Sequence, residues 1–267
     1  MSFNNLGSIQ MANQYWGPLR AIIYGIPGVG KSTFGAGFKK PIMLRSEDGA
    51  GSLEVPTFPG LVTCMWDIIQ AIQTLINEQH DFKTLVVDSI DWIEPIVWRE
   101  VCNQGGKTHI EDFGYGKGYA KADQYWLDIK GWLEELQRVR GMYIVFIAHA
   151  EIKTAPGVMT DPFDRYQVKL HKRAAALWIE WAETILFSMN KLVIHKTEGG
   201  FSEQKRGAAT GERVIFTEDR GGCVAKNRDQ LLPEIHIGRD LTYSAFHNEL
   251  HAKTNGQYEL PEHLIKG

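Results

Sequence analysis

Short apolar runs alternate with amphipathic stretches over the first two thirds of the chain. Segments 21–24, 42–44, 61–65, 85–87 and 143–148 are largely unbroken aliphatic and β-branched runs, so each predicts a strand covered on both faces. Between them, 31–38, 67–77, 91–101 and 119–138 carry apolar residues at helical spacing. Strand and helix repeated in this order predict an α/β fold, a mainly parallel sheet flanked by helices. The pattern changes after His149. A polar stretch, 151–166, leads to a helix-period segment, 168–181, and a further strand, 184–187. Segments 191–196, 212–216 and 223–225, separated by Gly-rich turns, predict antiparallel hairpins at one edge of the sheet. The expected organisation is a flexible N-terminal arm at 1–14, one core at 15–240, and a C-terminal helix and tail at 241–267.

Composition narrows the classes. The chain has 267 residues, 43% of them hydrophobic, enough for a sizeable core. It shows neither a leader nor an apolar run of membrane-spanning length, so a cytoplasmic protein with no membrane partner is expected. Cys64, Cys102 and Cys223 are widely spaced and read as reduced thiols, not a disulfide framework or a zinc site. The net charge of −3 means that any nucleic-acid contact has to come from a local basic patch.

The segment Gly25-Ile26-Pro27-Gly28-Val29-Gly30-Lys31-Ser32 fits G-x-x-x-x-G-K-[ST], between a predicted strand and a predicted helix. That is the context in which backbone N–H groups cradle a triphosphate. Gly25, Pro27, Gly28, Val29, Gly30, Lys31, Ser32 and Thr33 are therefore assigned to binding ATP, with Lys31 on the β/γ oxygens and the Ser32 hydroxyl on Mg²⁺. A second signature, Thr84-Leu85-Val86-Val87-Asp88, is an apolar strand ending in an acid. It would deliver Asp88 beside the loop as a Mg²⁺ partner. A helix-capping role for Asp88 and Asp91 is the plain alternative. Ser89 stands where a base often follows, so the base has to come from elsewhere. The next strand after the loop ends in Ser46-Glu47-Asp48-Gly49, which puts two carboxylates at the same rim.

Here the arrangement resembles the RecA-like ATPases, and the resemblance implies a RecA-like P-loop core. In that family the catalytic Glu sits at the tip of the strand after the phosphate-loop helix. Glu47 matches that place, with Asp48 as runner-up. His149, ending the 144–148 strand, matches a residue that senses the γ-phosphate. Ala225-Lys226-Asn227-Arg228 looks like the Lys-Asn-Arg element of RadA-like and ring-forming relatives. Its basic residues reach a neighbouring subunit's γ-phosphate, making Lys226 a nucleotide contact and Arg228 an arginine finger in trans. A charged turn, a hydrogen-bonded rim histidine and a solvated basic turn are the ordinary alternatives for these three segments.

Two regions have the make-up of single-stranded DNA contacts. Segment 104–121, with Tyr115 and Lys117, interleaves glycines, aromatics and lysines. After His149, Arg165, Lys169, Lys172 and Arg173 would lie largely on one face at helical spacing. As a set, the motifs resemble the phage-encoded RecA-like ATPases linked to single-strand annealing, over about residues 15–237. That resemblance implies an ATPase stimulated by single-stranded DNA, assembled as a ring or filament in the host cytoplasm. A single-strand DNA-binding protein is a candidate partner. The chain lacks the long terminal domains of full recombinases, which favours an accessory role. A nucleotide-gated mediator that barely hydrolyses, a P-loop kinase and a helicase remain the competing functions.

Overall fold

The computed structural model describes residues 17–49, 51, 53–157, 161–197, 204–239 and 241–265. The arm expected at 1–14 lies outside them. The chain runs β1 (Arg20–Gly25), α1 (Lys31–Ala36), β2 (Pro41–Arg45), α2 (Met65–Asn77), β3 (Thr84–Asp88), α3 (Ile90–Gly105), a short 3₁₀ turn (Ile110–Phe113) and α4 (Lys117–Arg140). It continues with β4 (Tyr143–Ala155), β5 (Phe163–Val168), α5 (Lys172–Trp181), β6 (Thr184–Thr197), β7 (Gln204–Phe216), β8 (Lys226–Asn227), β9 (Glu234–Ile237), α6 (Ser244–Lys253) and α7 (Glu262–Ile265).

One nine-stranded sheet is ordered β2-β3-β4-β1-β6-β7-β9, with β5 paired to β4 and β8 to β6. The pairs β2/β3, β3/β4, β4/β1 and β1/β6 are parallel, and β6/β7 and β7/β9 are antiparallel. This is the expected α/β architecture, a parallel centre extended by antiparallel strands at one edge.

The central strands are apolar throughout because both faces are covered, and period-two alternation divides their side chains between two cores. Ile22, Tyr24, Leu85, Val87, Ile144, Phe146, Ile185 and Phe187 face a layer built from α2 to α5, centred on Trp126 and Trp178. Ala21, Ile23, Met43, Val86, Val145, Ile147 and Leu186 face the other way. They meet Phe34 and Phe38 of the α1 segment and Tyr243, Phe246, Leu250 and Tyr258 of the C-terminal segment.

Three segments differ from expectation. Residues 61–64 form a loop, not a strand, because the Asp67 carboxylate accepts the backbone N–H groups of Thr63 (2.7 Å) and Cys64 (3.0 Å) and so starts α2. The polar stretch after His149 is a hairpin: β4 runs on to Ala155 and pairs antiparallel with β5 from Ala150↔Val168 to Ala155↔Phe163. Polar side chains suit it because this hairpin stands beyond the sheet, with Ile152 and Phe163 exposed. Residues 168–171 are not helical, and α5 starts only at Lys172.

Candidate active site

Parallel pairing puts the carboxyl ends of β1 to β4 and the parallel part of β6 at one rim. Gly25 lies opposite both His149 and Ser188, and Arg45 lies opposite Asp88. Ligands of open α/β sheets bind outside such a rim. A Cβ on Gly25 would come within 2.2 Å of the Ser188 carbonyl oxygen, so the strand leaving the sheet into the loop has to be glycine there.

The loop wraps the start of α1. Ile26, Pro27 and Gly28 are exposed, while Val29 is fully buried and anchors the turn in the core. Lys31 is buried, and its Nζ donates to the carbonyls of Gly25 and Ile26, both at 3.1 Å. Burial pushes Lys31 below the usual lysine range, while Asp88, Asp91 and Glu47 pull it back up. A cation held against its own loop in this way is available to a phosphate entering the turn.

Ser32 Oγ donates to Asp88 Oδ2 at 2.7 Å. Asp88 is buried, and burial raises its carboxyl above the ordinary value against the opposing Ser32 bond. Two hard oxygens this close, one on the phosphate-loop helix and one on the adjoining rim, fit a Mg²⁺ ion that keeps waters and phosphate oxygens as its other ligands. Among the described residues no cluster of three or more His, Cys, Asp or Glu forms a metal cage, as that mode of binding requires none. The ends of β2 and β3 are tied together: Ser46 N donates to the Asp88 carbonyl (2.8 Å), and Ser46 Oγ bridges the N–H (2.9 Å) and carbonyl (2.6 Å) of Ser89.

That tie sets Glu47 beside the Ser32–Asp88 pair, where its charge acts on Asp88. Glu47 Oε1 is 3.9 Å from His149 Nδ1. Asp48, in contrast, is exposed and lies 4.0 Å from Arg45. His149 is held from behind by Asp91, which accepts its backbone N–H at 3.0 Å and its ring Nδ1 at 3.0 Å. Asp91 raises the His149 pKa above the ordinary histidine value, with burial opposing. Burial would raise Asp91, but the His149 bonds outweigh it and hold that carboxyl below the usual range. Lys31, Ser32, Glu47, Asp88 and His149 are thus brought to one rim.

Lys226 is not brought there. It pairs with Ile185 and Asn227 with Thr184, towards the amino end of β6 and away from the loop. Lys226 Nζ donates to the carbonyls of Ile179 (2.8 Å), Glu180 (3.1 Å) and Ala182 (2.6 Å). Within its own chain Lys226 thus caps the end of α5. Arg228 is exposed at that same end, in a pocket of about 500 Å³ with Arg20, Glu134, Arg138, Glu183 and Asp229.

The single helical face expected of Arg165, Lys169, Lys172 and Arg173 does not form. Arg165 lies in β5, Lys169 in the turn after it, and only Lys172 and Arg173 are in α5. Acids distant in sequence also neutralise two of them: Asp219 pairs with Arg165 at 3.2 Å and Asp123 with Arg173. Tyr115 is fully exposed between Gly114 and Gly116, and Lys117 opens α4, also exposed.

Sequence reasoning missed the work of Asp91 and Glu94. One turn apart on α3, they hold the two feet of the β4–β5 hairpin: Asp91 takes His149 N, and Glu94 takes His171 N with both oxygens (2.9 and 3.0 Å). The i, i+3 spacing of two acids at a helix start was the available signal.

The crystal structure of the RadB recombinase is similar to this chain with a TM-score of 0.41 at 14% identity, covering 83% of this chain and 87% of that one. No curated protein sequence matches. The family described as an AAA domain matches residues 17–229, from just before β1 to just past Arg228. That span takes in most of the chain and the whole loop-and-carboxylate rim, and this protein belongs to the AAA-domain family.

Proposed function

We propose that this chain is an ATPase that binds Mg²⁺ and ATP at the β1–α1 loop, assembles on single-stranded DNA as a ring or filament, and assists phage recombination or strand annealing. The observation that carries the reading is the convergence of Lys31, the Ser32–Asp88 pair, Glu47 and His149 on one rim. Mg²⁺ held by Ser32 and Asp88 would offset charge on the β/γ phosphates. Lys31 leaves its loop carbonyls for those oxygens. Glu47 takes a proton from the attacking water, and the products are ADP and phosphate. His149, whose charged form Asp91 favours, places a donor beside the base where charge develops.

Assembly is supported by the separation of Arg228 from its own loop. A guanidinium exposed at the opposite end of the sheet serves a head-to-tail neighbour, whose rim would receive it. DNA contact is supported by Tyr115, whose ring is free to stack, and by exposed Lys117, Lys169 and Lys172. Ion pairing of Arg165 and Arg173 leaves them a lesser share.

The test is phosphate release from MgATP with and without single-stranded DNA, beside Lys31→Ala as the loop-defective control. Stimulated release, absent in Lys31→Ala, is expected. Release indifferent to DNA removes the DNA part, and no release removes the ATPase. Phosphate transfer to a nucleoside would make it a kinase.

A further inference from the structure

The family match ends at residue 229, yet a later segment reaches back to the nucleotide loop. Tyr243 Oη donates to the Gly30 carbonyl at 2.7 Å. Gly30 also receives the helical bond from Phe34 N at 2.9 Å, so both of its carbonyl lone pairs are engaged. The approach is close: a Cβ on Gly30 would stand 2.6 Å from Tyr243 Oη and 3.4 Å from Leu241 Cδ1. Gly30 sits at φ +91°, where L side chains are strained, and Leu241 and Tyr243 both hold φ near +52° although neither is glycine. Non-glycine residues persist there only when their surroundings hold them, and such outliers cluster at working sites.

The segment is firmly anchored. Phe34 packs edge-on against Tyr243 (centroids 5.1 Å) and Phe246 (4.9 Å). His247 is fully buried between Phe34 and Tyr258, its Nδ1 2.6 Å from Tyr258 Oη. Glu259 pairs with Lys39 just past α1. Burial pushes the Tyr243 phenol up to about 12, so it remains a donor at any physiological pH.

Peptide planarity gives this contact a consequence at the phosphate site. The Gly30 carbonyl and the Lys31 N–H belong to one trans peptide unit and point in opposite directions. A donor fixed on that carbonyl fixes the aim of that N–H. We infer that Tyr243 is a positioning residue for nucleotide binding, and that segment 241–258 is a brace that holds the phosphate loop in its binding conformation. The inference rests on the reading of the loop as a nucleotide site.

Tyr243→Phe keeps the ring and deletes the donor. The full chain would be titrated with Mg·ATPγS, and its thermal midpoint measured, beside Phe246→Leu, which trims the same aromatic cluster without touching the loop. Tyr243→Phe is expected to weaken binding about three- to tenfold, the scale of one hydrogen bond, with a near-native midpoint. Phe246→Leu is expected to lower the midpoint and retain affinity. Unchanged affinity in Tyr243→Phe, or equal weakening in Phe246→Leu, overturns the inference. Failure of the wild-type chain to bind Mg·ATPγS instead overturns the loop reading. If Tyr243→Phe does not fold, hydrogen exchange in the wild type decides: Mg·ATPγS should slow exchange in 26–34 and 241–247 together, and slowing confined to 26–34 overturns the brace.

Discussion

Asp91 grips His149 twice, one carboxylate oxygen on the backbone N–H and the other on ring Nδ1, each at 3.0 Å. The grip fixes where the ring lies relative to Glu47, 3.9 Å away, and which nitrogen is left for a ligand. It also favours the imidazolium. A histidine whose folded pKa is raised contributes stability that is complete below its unfolded pKa and is lost as pH rises through the folded value. Asp91→Asn should therefore move the His149 midpoint down, read by proton NMR of the ring. Turnover should decline at a lower pH than in the wild type. An unmoved midpoint would break the link between the two residues.

Glu47 is the half-buried carboxylate that reaches His149, whereas Asp48 faces solvent. Glu47→Gln should keep nucleotide affinity and cut turnover by about 10² to 10⁴, the usual contribution of a positioned base. Asp48→Asn should leave turnover near wild type. Steady-state phosphate release and nucleotide titration on both variants separate base from bystander, and the reverse pattern would transfer the role.

Glu94 carries a pH signature of opposite sign to most acids. Burial pushes its carboxyl from 4.5 up to about 7, against the His171 N–H bonds. The folded state therefore holds a proton that the unfolded state has released, and stability falls as pH rises from about 4.5 to 7. Glu94→Gln retains an acceptor for His171 N and should flatten this slope, by at most about 3 kcal/mol over the window. Urea midpoints at pH 5 and pH 8 measure it, and parallel profiles for the two proteins would refute it.

Arg228→Ala should leave nucleotide binding intact and lower turnover, by up to about 10³ if the guanidinium acts as a finger. A mixture of Arg228→Ala and Glu47→Gln chains should regain activity, because one junction in the mixture joins an intact rim to an intact Arg228. Absence of rescue at every ratio would argue that Arg228 does not act between copies.

Trp178 tests the helical layer. It is fully buried, edge-on to Trp126 (5.7 Å) and Phe146 (5.0 Å), and its indole N–H has no partner. Trp178→Ala should cost about 3–5 kcal/mol. Trp178→Phe should cost much less, since it also removes an unsatisfied donor. Denaturant unfolding of the pair gives the comparison, and equal losses would show that the N–H carries no penalty.

How much of this was legible depended on the range of the forces involved. The loop 25–32, the strand ending at Asp88 and the apolar runs of β1, β3 and β4 could be read directly. A turn's need for glycine, the fixed spacing to Lys31 and Ser32, and burial of a strand on both faces are all written within a few consecutive residues. The same local reading misjudged 61–64, where one side chain, Asp67, redirects the backbone into a helix. It also placed no strand in the polar stretch that forms the β4–β5 hairpin, because a solvated hairpin has no apolar run to announce it.

Other features belong to the assembled molecule alone. Lys226 becomes a cap on α5 only because that helix ends beside it with three carbonyls to satisfy, and the basic cluster after His149 loses its shared face when Arg165 enters a strand. Asp91 becomes the partner of His149, and Tyr243 of Gly30, only because strand order and a C-terminal aromatic cluster bring distant residues within 3 Å. Local chain geometry determined most of the elements and the form of the loop proposed to take phosphate. Packing decided which polar groups face one another there, since a buried hydrogen bond depends on who arrives within reach and not on separation along the chain.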